Sequence, residues 1–412
     1  MEKRNRAWLV AALWASAAWA QVSVPVPPDE GPGSVGLSPP GLSGASNCSK
    51  SDWRLSLTGG FLGGEYTLFE EYPPGFPNQL GTFHVSPNAD GITVVDVISV
   101  SQSPSPVFLA TQSYRGVMSG YSLPLKARDA TKLPQPEFPF TPLWECGLAT
   151  RVAGHQPGDR VTLSSFLPII GTRYVIPSAF GTGDYMPAGS QPFKAGEMVE
   201  TFYSTCEGPP QVSPVSAPQT VATYPSQLLP QPVVVSASFV PGVARFSVSG
   251  LVNGATLALK LSRAAGGGDS WDERCAGPTC TAYLPPSLGK LEEGDTVVLS
   301  QQLCPMGVTP LETRAEVQAC EKSSMPEVSP TPKAGDVSVT LVGHPLGAVV
   351  RVYATKDANP QSALELIGYA FDTNVVNLTR AIEKDDLWII VAAHTGTCDP
   401  GSGVGLFVGE KR

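Results

Sequence analysis

The chain repeats one short pattern four times. Gly59, Gly154, Gly250 and Gly343 each begin a Gly-x-x-x-Gly step that ends at Gly63, Gly158, Gly254 and Gly347, at intervals of 95, 96 and 93 residues. A fixed interval marks copies of one unit. A row of copies presents surfaces or spans a distance more readily than it houses a single active site.

The copies align without a gap. Trp53, Leu55 and Leu57 precede the first glycine by six, four and two residues; Leu148, Thr150 and Val152, then Ala244, Phe246 and Val248, then Val337, Val339 and Leu341 hold the same places later. Tyr66 and Leu68 follow it by seven and nine residues, matched by Val161 and Leu163, Leu257 and Leu259, and Val350 and Val352. Period-two alternation on both sides of a glycine-bearing loop predicts two strands joined by a short connection. Glycine serves there because it adopts positive φ without a steric penalty. The flanks alternate and carry Arg and Thr, which argues against a membrane-helix packing motif.

A second mark returns 42, 44 and 42 residues after the first glycine of the last three copies: Gly196-Glu197, Gly294-Asp295 and Asp385-Asp386. Each leads into another alternating run. In the first copy the nearest counterpart, Asp90-Gly91, comes early, so that unit is shortened or closed differently.

Charged residues make up 15% of the 412, against 42 Gly and 41 Pro. That balance fits many short strands punctuated by turns. Units of this size can each bury a core. The expected layout is a signal at 1–20, a flexible Pro/Gly/Ser-rich linker at 21–47, and units at 48–135, 136–212, 226–322 and 323–412. Pro-rich joints fall at 133–142, 208–232 and 323–332, and the 264–280 stretch of the third unit reads as an inserted loop.

With about seven short strands in each copy, the chain resembles the immunoglobulin-like β-sandwich repeats of secreted and surface-bound bacterial proteins. The resemblance implies an all-β tandem array of four such sandwiches. The Cys…Trp…Cys arrangement of antibody domains is missing, so fibronectin type III and other sandwich topologies stay open.

Lys3, Arg4 and Arg6, an apolar run from Ala7 to Ala17 and Ala18-Trp19-Ala20 read as a cleaved secretory signal. Its removal takes away three basic side chains and Glu2, which moves the formal charge from −9 to −11. No later stretch is apolar and long enough to span a bilayer, and no basic cluster favours nucleic acid. The expected location is secreted or in the cell envelope, and the expected partner is a surface protein or a glycan.

Eight cysteines in an exported chain read as disulfides. Guided by the repeat, Cys304 is expected to pair with Cys320, Cys275 with Cys280, and Cys146 with Cys206. Cys48 and Cys398 remain, one at each end of the array; they pair only if the ends approach, and otherwise are free or intermolecular.

No nucleophile elbow, zinc-protease helix or phosphate-binding loop occurs, so no enzyme, metal or cofactor is expected. His155 and His344 follow the repeat glycine, but Gly60 and Leu251 fill the same slot, which marks a tolerant, exposed loop position. Carboxylates cluster at 269–273, 292–295 and 383–386 without calcium-loop spacing. Phe69, Tyr72 and Phe76, around a Pro73-Pro74-Gly75 turn, are candidates for ligand stacking, whereas Tyr66 belongs to the core register. The sequence therefore suggests a non-enzymatic structural or adhesive surface protein. The alternatives are a carbohydrate-binding protein accessory to secreted hydrolases and an enzyme with a site in unit one.

Overall fold

The computed structural model describes residues 22–32, 37–47, 52–61, 63–85, 93–101, 106–126, 132–155, 159–166, 173–176, 185–187, 192–205, 211–225, 228–235, 239–304, 310–320, 326–342, 347–398 and 402–408. Strands β1 (Val22–Pro25) and β2 (Gly41–Asn47) come first. The first module continues with β3 (Asp52–Thr58), β4 (Glu65–Glu71), β5 (Pro77–His84), β6 (Thr93–Val97), β7 (Val107–Tyr114), β8 (Val117–Met118) and β9 (Leu125–Lys126). The second holds β10 (Ala149–Arg151), β11 (Arg160–Phe166), β12 (Arg173–Ile176), β13 (Tyr185–Pro187), β14 (Met198–Thr205), β15 (Gln211–Val212) and β16 (Gln219–Thr220). The third holds β17 (Val233–Val234), β18 (Arg245–Ser249), β19 (Thr256–Ser262), β20 (Gly268–Arg274), β21 (Thr279–Tyr283), β22 (Thr296–Gln302) and β23 (Thr313–Glu316). The fourth holds β24 (Glu327–Val328), β25 (Ser338–Val342), β26 (Ala348–Thr355), β27 (Glu365–Phe371), β28 (Val375–Asn377), β29 (Trp388–Thr395) and β30 (Ser402–Phe407).

The strands form one small and one larger sheet in each module. The small sheets run β2-β3-β6, β10-β13, β17-β18-β21 and β24-β25-β28; the larger ones run β5-β4-β7-β8, β12-β11-β14-β15, β20-β19-β22-β23 and β1-β30-β29-β26-β27, with β9 on β7 and β16 on β14. Each pair of sheets encloses its own core. Leu55, Leu57, Tyr66 and Leu68 centre the first, Val152, Val161 and Leu163 the second, Phe246, Leu257 and Leu259 the third, and Val339, Val350 and Val352 the fourth. Burying one such side chain contributes roughly 1.5–3 kcal/mol. The strand after each second core strand (β5, β12, β20, β27) pairs with the larger sheet. In immunoglobulin constant domains the fourth strand joins the other sheet instead.

The glycine step is a crossing, not a hairpin. β3 and β4, β10 and β11, β18 and β19, and β25 and β26 lie in opposite sheets, and the step carries the chain between them. Gly59, Gly63, Gly154, Gly250, Gly254 and Gly347 all have positive φ, the conformation that favours glycine. Gly158, Gly343 and His344 lie outside the described residues. His155 is only half exposed, with both ring nitrogens buried and unpaired, so its slot is less open than the repeat suggested.

The second mark is a buried carboxylate that closes the turn before the next strand. Glu197, Asp295 and Asp386 are each under a tenth exposed. They accept the backbone N–H of Lys194, Glu292 and Glu383, three residues earlier, at 2.8, 2.9 and 2.8 Å. Arg263 and Arg380 pair with Asp295 and Asp386 at 2.5 and 2.8 Å. In the first module the corresponding loop is pinned from the opposite side. Glu70, on β4 and fully buried, accepts from the Ser99 hydroxyl at 2.8 Å and the Val100 N–H at 2.6 Å. Asp90-Gly91 lies outside the described residues.

Three expectations about layout are corrected. The 21–47 stretch is not a flexible linker: β1 pairs with β30 of the fourth module and β2 with β3 of the first. Val24 and Leu37 are buried, and their small number hid the strand pattern among Pro, Gly and Ser. The second sandwich extends past residue 212, because β16 pairs with β14. The 264–280 stretch of the third unit is not an insertion but a hairpin turn and β20, the counterpart of β5 and β27.

Contacts between modules form a closed circuit. β2 lies against β14, joining the first module to the second. Between the second and third, the Leu148 N–H donates to the Gly254 carbonyl at 2.9 Å, and Trp144 and Tyr224 pack on Leu229, Val252 and Leu303. A Cβ on Gly254 would lie 2.9 Å from the Gly147 Cα, so the backbones touch where only glycine fits. Between the third and fourth, Arg245 pairs with Asp372 at 2.5 Å, and the Thr397 N–H donates to the Pro241 carbonyl at 3.1 Å. Phe61 of the first module then packs on Tyr369 and Phe371 of the fourth, with Leu37 in the same cluster.

Candidate binding face on the first module

β4 alternates between faces. Tyr66, Leu68 and Glu70 point into the sandwich, while Thr67, Phe69 and Glu71 line its outer side. Phe69 is half-buried because Tyr121 stands edge-on to it, with ring centroids 5.3 Å apart at 82°. Beyond β4 the chain turns at Pro73–Gly75. The Tyr72 N–H donates to the Phe76 carbonyl at 3.0 Å, the Phe76 N–H to the Pro73 carbonyl at 2.9 Å, and the Gly75 N–H to Glu71 Oε1 at 2.6 Å. This tight tip leaves the Tyr72 and Phe76 rings in water, at 52% and 67% exposure. Ile98 and Val100 are also exposed, on the loop that Glu70 holds.

Tyr121 is positioned by a pair of serines. Ser119 and Ser122 donate their N–H groups to the carbonyls of Gln112 and Ala110, and their hydroxyls accept the N–H groups of the same two residues. Ser213 and Ser216 clip Tyr203 and Thr201 in the same way in the second module. The clip replaces a regular edge strand and turns the residue between the serines outward: Tyr121 in one module, Val215 in the other.

Phe69 therefore meets Tyr121, which the sequence reading missed, and not the other two candidates. Among the described residues no ring contact joins Phe69 to Tyr72 or Phe76. The signal that could have found Tyr121 is the shared Ser-x-x-Ser-x-Pro spacing at 119–124 and 213–218.

Two of the three expected cysteine pairs do not form, while Cys275–Cys280 closes within the third module as expected. Cys304 bonds to Cys146, not Cys320, and Cys320 bonds to Cys398; Cys275 bonds to Cys280. The first two bridges cross the junctions between modules two and three and between three and four. Cysteines placed at module ends meet the neighbouring module before they meet their own. Cys48 and Cys206, and with them the expected Cys146–Cys206 pair's second half, lie outside the described residues.

Other clusters are structural in form. Asp29 accepts the Tyr369 hydroxyl at 3.0 Å and lies 3.5 Å from His394 Nε2, while the Arg351 guanidinium donates to the Pro27 carbonyl at 2.7 Å. Burial and the Asp29 carboxylate push the Tyr369 hydroxyl pKa well up. Together these groups fasten the N-terminal segment to the fourth module. Cys398 is bonded to Cys320, so it is no nucleophile for His394. A groove of about 590 Å³ between the second and third modules is lined by Arg151 of β10 and by Asp272, Glu273 and Tyr283; burial raises the Glu273 pKa, and the Tyr283 N–H donates to its carboxylate. Among the described residues no three His, Cys, Asp or Glu side chains gather as a metal site, and no helix is long and apolar enough to cross a membrane.

Strand order, paired sheets and separate cores define an all-β chain of immunoglobulin-like sandwich repeats. No family model matches it, and no curated protein is similar to it. Among solved structures it is similar to a tetra-tandem repeat from the extending region of a large adhesion protein (11% identity, 90% of this chain and 99% of that one, TM-score 0.19). It is also similar to the N-terminal four Ig domains of Dscam1 (9%, 95% and 100%, TM-score 0.24) and to the FN1–FN3 domains of chicken CNTN1 (9%, 67% and 98%, TM-score 0.21). The class rests on the chain's own strand order.

Proposed function

We propose that this is an exported, non-enzymatic binding protein of the cell surface or exterior, with the contact surface on its first module. The observation that supports the reading is where exposed aromatics fall. Tyr72, Phe76 and Tyr121 are the large aromatic side chains most open to solvent among the described residues, and all belong to that module. Exposed apolar patches mark interaction sites, and aromatic anchors dominate binding energies. The other modules form a braced support, fastened at two junctions by disulfides. Such bridges persist in oxidising compartments, consistent with export after a cleaved signal at 1–20. The reading uses module limits of 48–135, 136–212, 226–322 and 323–412, with β2 added to the first, β16 to the second and β1 to the fourth.

Beads coated with the mature chain should adhere to cells of the producing organism. A Tyr72→Ser, Phe76→Ser variant should lose most of that adhesion with its circular dichroism unchanged; equal adhesion by both proteins would refute the reading. A glycan reading is favoured by one feature, a solvent-facing tip that combines two aromatic rings with Glu71 and Asn78. A glycan array on which the wild type binds and the same variant does not would select it.

A further inference from the structure

An open sheet edge can pair with another strand, and natural β-proteins guard such edges with charge, shortness or a covering segment. In the third module β20 carries Asp269, Asp272, Glu273 and Arg274. In the fourth, β27 is met by a parallel bridge from Leu37 to Tyr369 and by the Ser38 N–H on the Tyr369 carbonyl, while β30 is covered by β1. β8, β9, β15 and β16 are two residues long, β12 is four, and β2 lies against β14.

β5 lacks all three, and its only guards of other kinds are Pro77 at its first residue and the register shift at Leu80. It spans eight residues without Asp, Glu, Lys or Arg, is exposed or half-exposed throughout, and has no strand on its outer side among the described residues. A register shift opposite Leu68 and Phe69 sends Leu80 toward the core. Gln79 and Thr82 stay in solvent, 3.2 Å apart through a side-chain hydrogen bond.

We propose that β5 docks on β5 of a second copy, the two strands pairing antiparallel about a two-fold axis. The proposal rests on the first module being the contact module, and it names the partner. A two-fold contact sets a strand against itself, and a strand without Asp, Glu, Lys or Arg, whose His84 falls opposite Pro77 in antiparallel self-pairing, does so without opposing like charges. The hairpin tip stands just before β5. Antiparallel pairing therefore carries Tyr72 and Phe76 of each chain to the far end of the other's strand, beside Phe83 and His84, and removes exposed rings from water. A foreign strand would gain the backbone ladder alone; a second copy also brings the matching tip.

Sedimentation velocity of the mature chain over a concentration series tests this. A reversible dimer is expected. Gln79→Lys with Thr82→Lys, at two solvent-facing positions, should raise its dissociation constant about tenfold or more without changing the circular dichroism. Mixing that protein with a Gln79→Glu, Thr82→Glu chain should restore a one-to-one dimer. A wild type that stays monomeric, or a dimer indifferent to the lysines, overturns the pairing. If the tip variant loses cell adhesion while the wild type is monomeric, the contact-module reading survives and the homotypic partner does not.

Discussion

Phe61 of the first module and Tyr369 of the fourth lie with ring centroids 5.3 Å apart. This contact turns a row of repeats into a circuit. Tyr369 also donates its hydroxyl to Asp29, and its backbone meets Leu37 and Ser38. One residue thus joins the N-terminal segment, the first module and the fourth. Of the two expectations for such a row, presenting surfaces or spanning a distance, the second gives way to a chain whose ends are fastened together.

The N-terminal segment should therefore be required for stability. Leu37 is 3% exposed in the cluster with Phe61 and Tyr369. Leu37→Asp would bury a charge there and should cost about 3 kcal/mol or more. Denaturant unfolding reads the loss, and limited proteolysis should show earlier cutting near residues 22–40.

The junction disulfides should brace the circuit. A Cys320→Ser, Cys398→Ser protein should lose about 2–4 kcal/mol, read as a lower midpoint for the third and fourth modules. A non-reducing peptide map should show Cys146 with Cys304, Cys275 with Cys280 and Cys320 with Cys398. It also reports on Cys48 and Cys206.

Arg245 and Asp372 make a largely buried ion pair at the junction of the third and fourth modules, with side chains 10% and 14% exposed. Removing one partner strands the other charge. Arg245→Ala should destabilise by about 3 kcal/mol, whereas removing both charges by Arg245→Met with Asp372→Asn should cost less.

Burial raises the Glu273 pKa, so the folded state holds this proton more tightly than the unfolded chain. Between the ordinary carboxylate value and the raised one, the folded state binds more protons, and stability falls as pH rises. Glu273→Gln keeps an oxygen acceptor for the Tyr283 N–H. It should be more stable than the wild type at neutral pH by less than about 1 kcal/mol, because the groove is open to solvent. The ionisation part of that difference should vanish in acid; thermal melts at two pH values check both.

The strands were legible because alternation is local. Leu55, Tyr66, Leu257 and Val350 could be placed in cores from spacing alone, and all four are fully buried. What the glycine step joins was not legible, since a crossing between sheets and a hairpin need the same positive-φ residues. The local Cys275–Cys280 pair was legible, but the Cys304–Cys320 pairing failed for a related reason: the two cysteines share a module in sequence, but each sits at an end that abuts a different neighbour. The segment at 21–47 looked like a linker because composition weighs every residue equally. Val24 and Leu37 hold it, Val24 against the last module and Leu37 against both the first and the last. Tyr121 was missed because a serine clip, not an apolar pattern, positions it.

Small-angle X-ray scattering of residues 21–412 tests the closed circuit most directly. A compact chain of this length has a radius of gyration of roughly 21 Å. The circuit predicts a value near that figure and a pair-distance distribution without a long tail. An elongated profile, with a radius of gyration of about twice that value or more, would contradict the contact between the first and fourth modules.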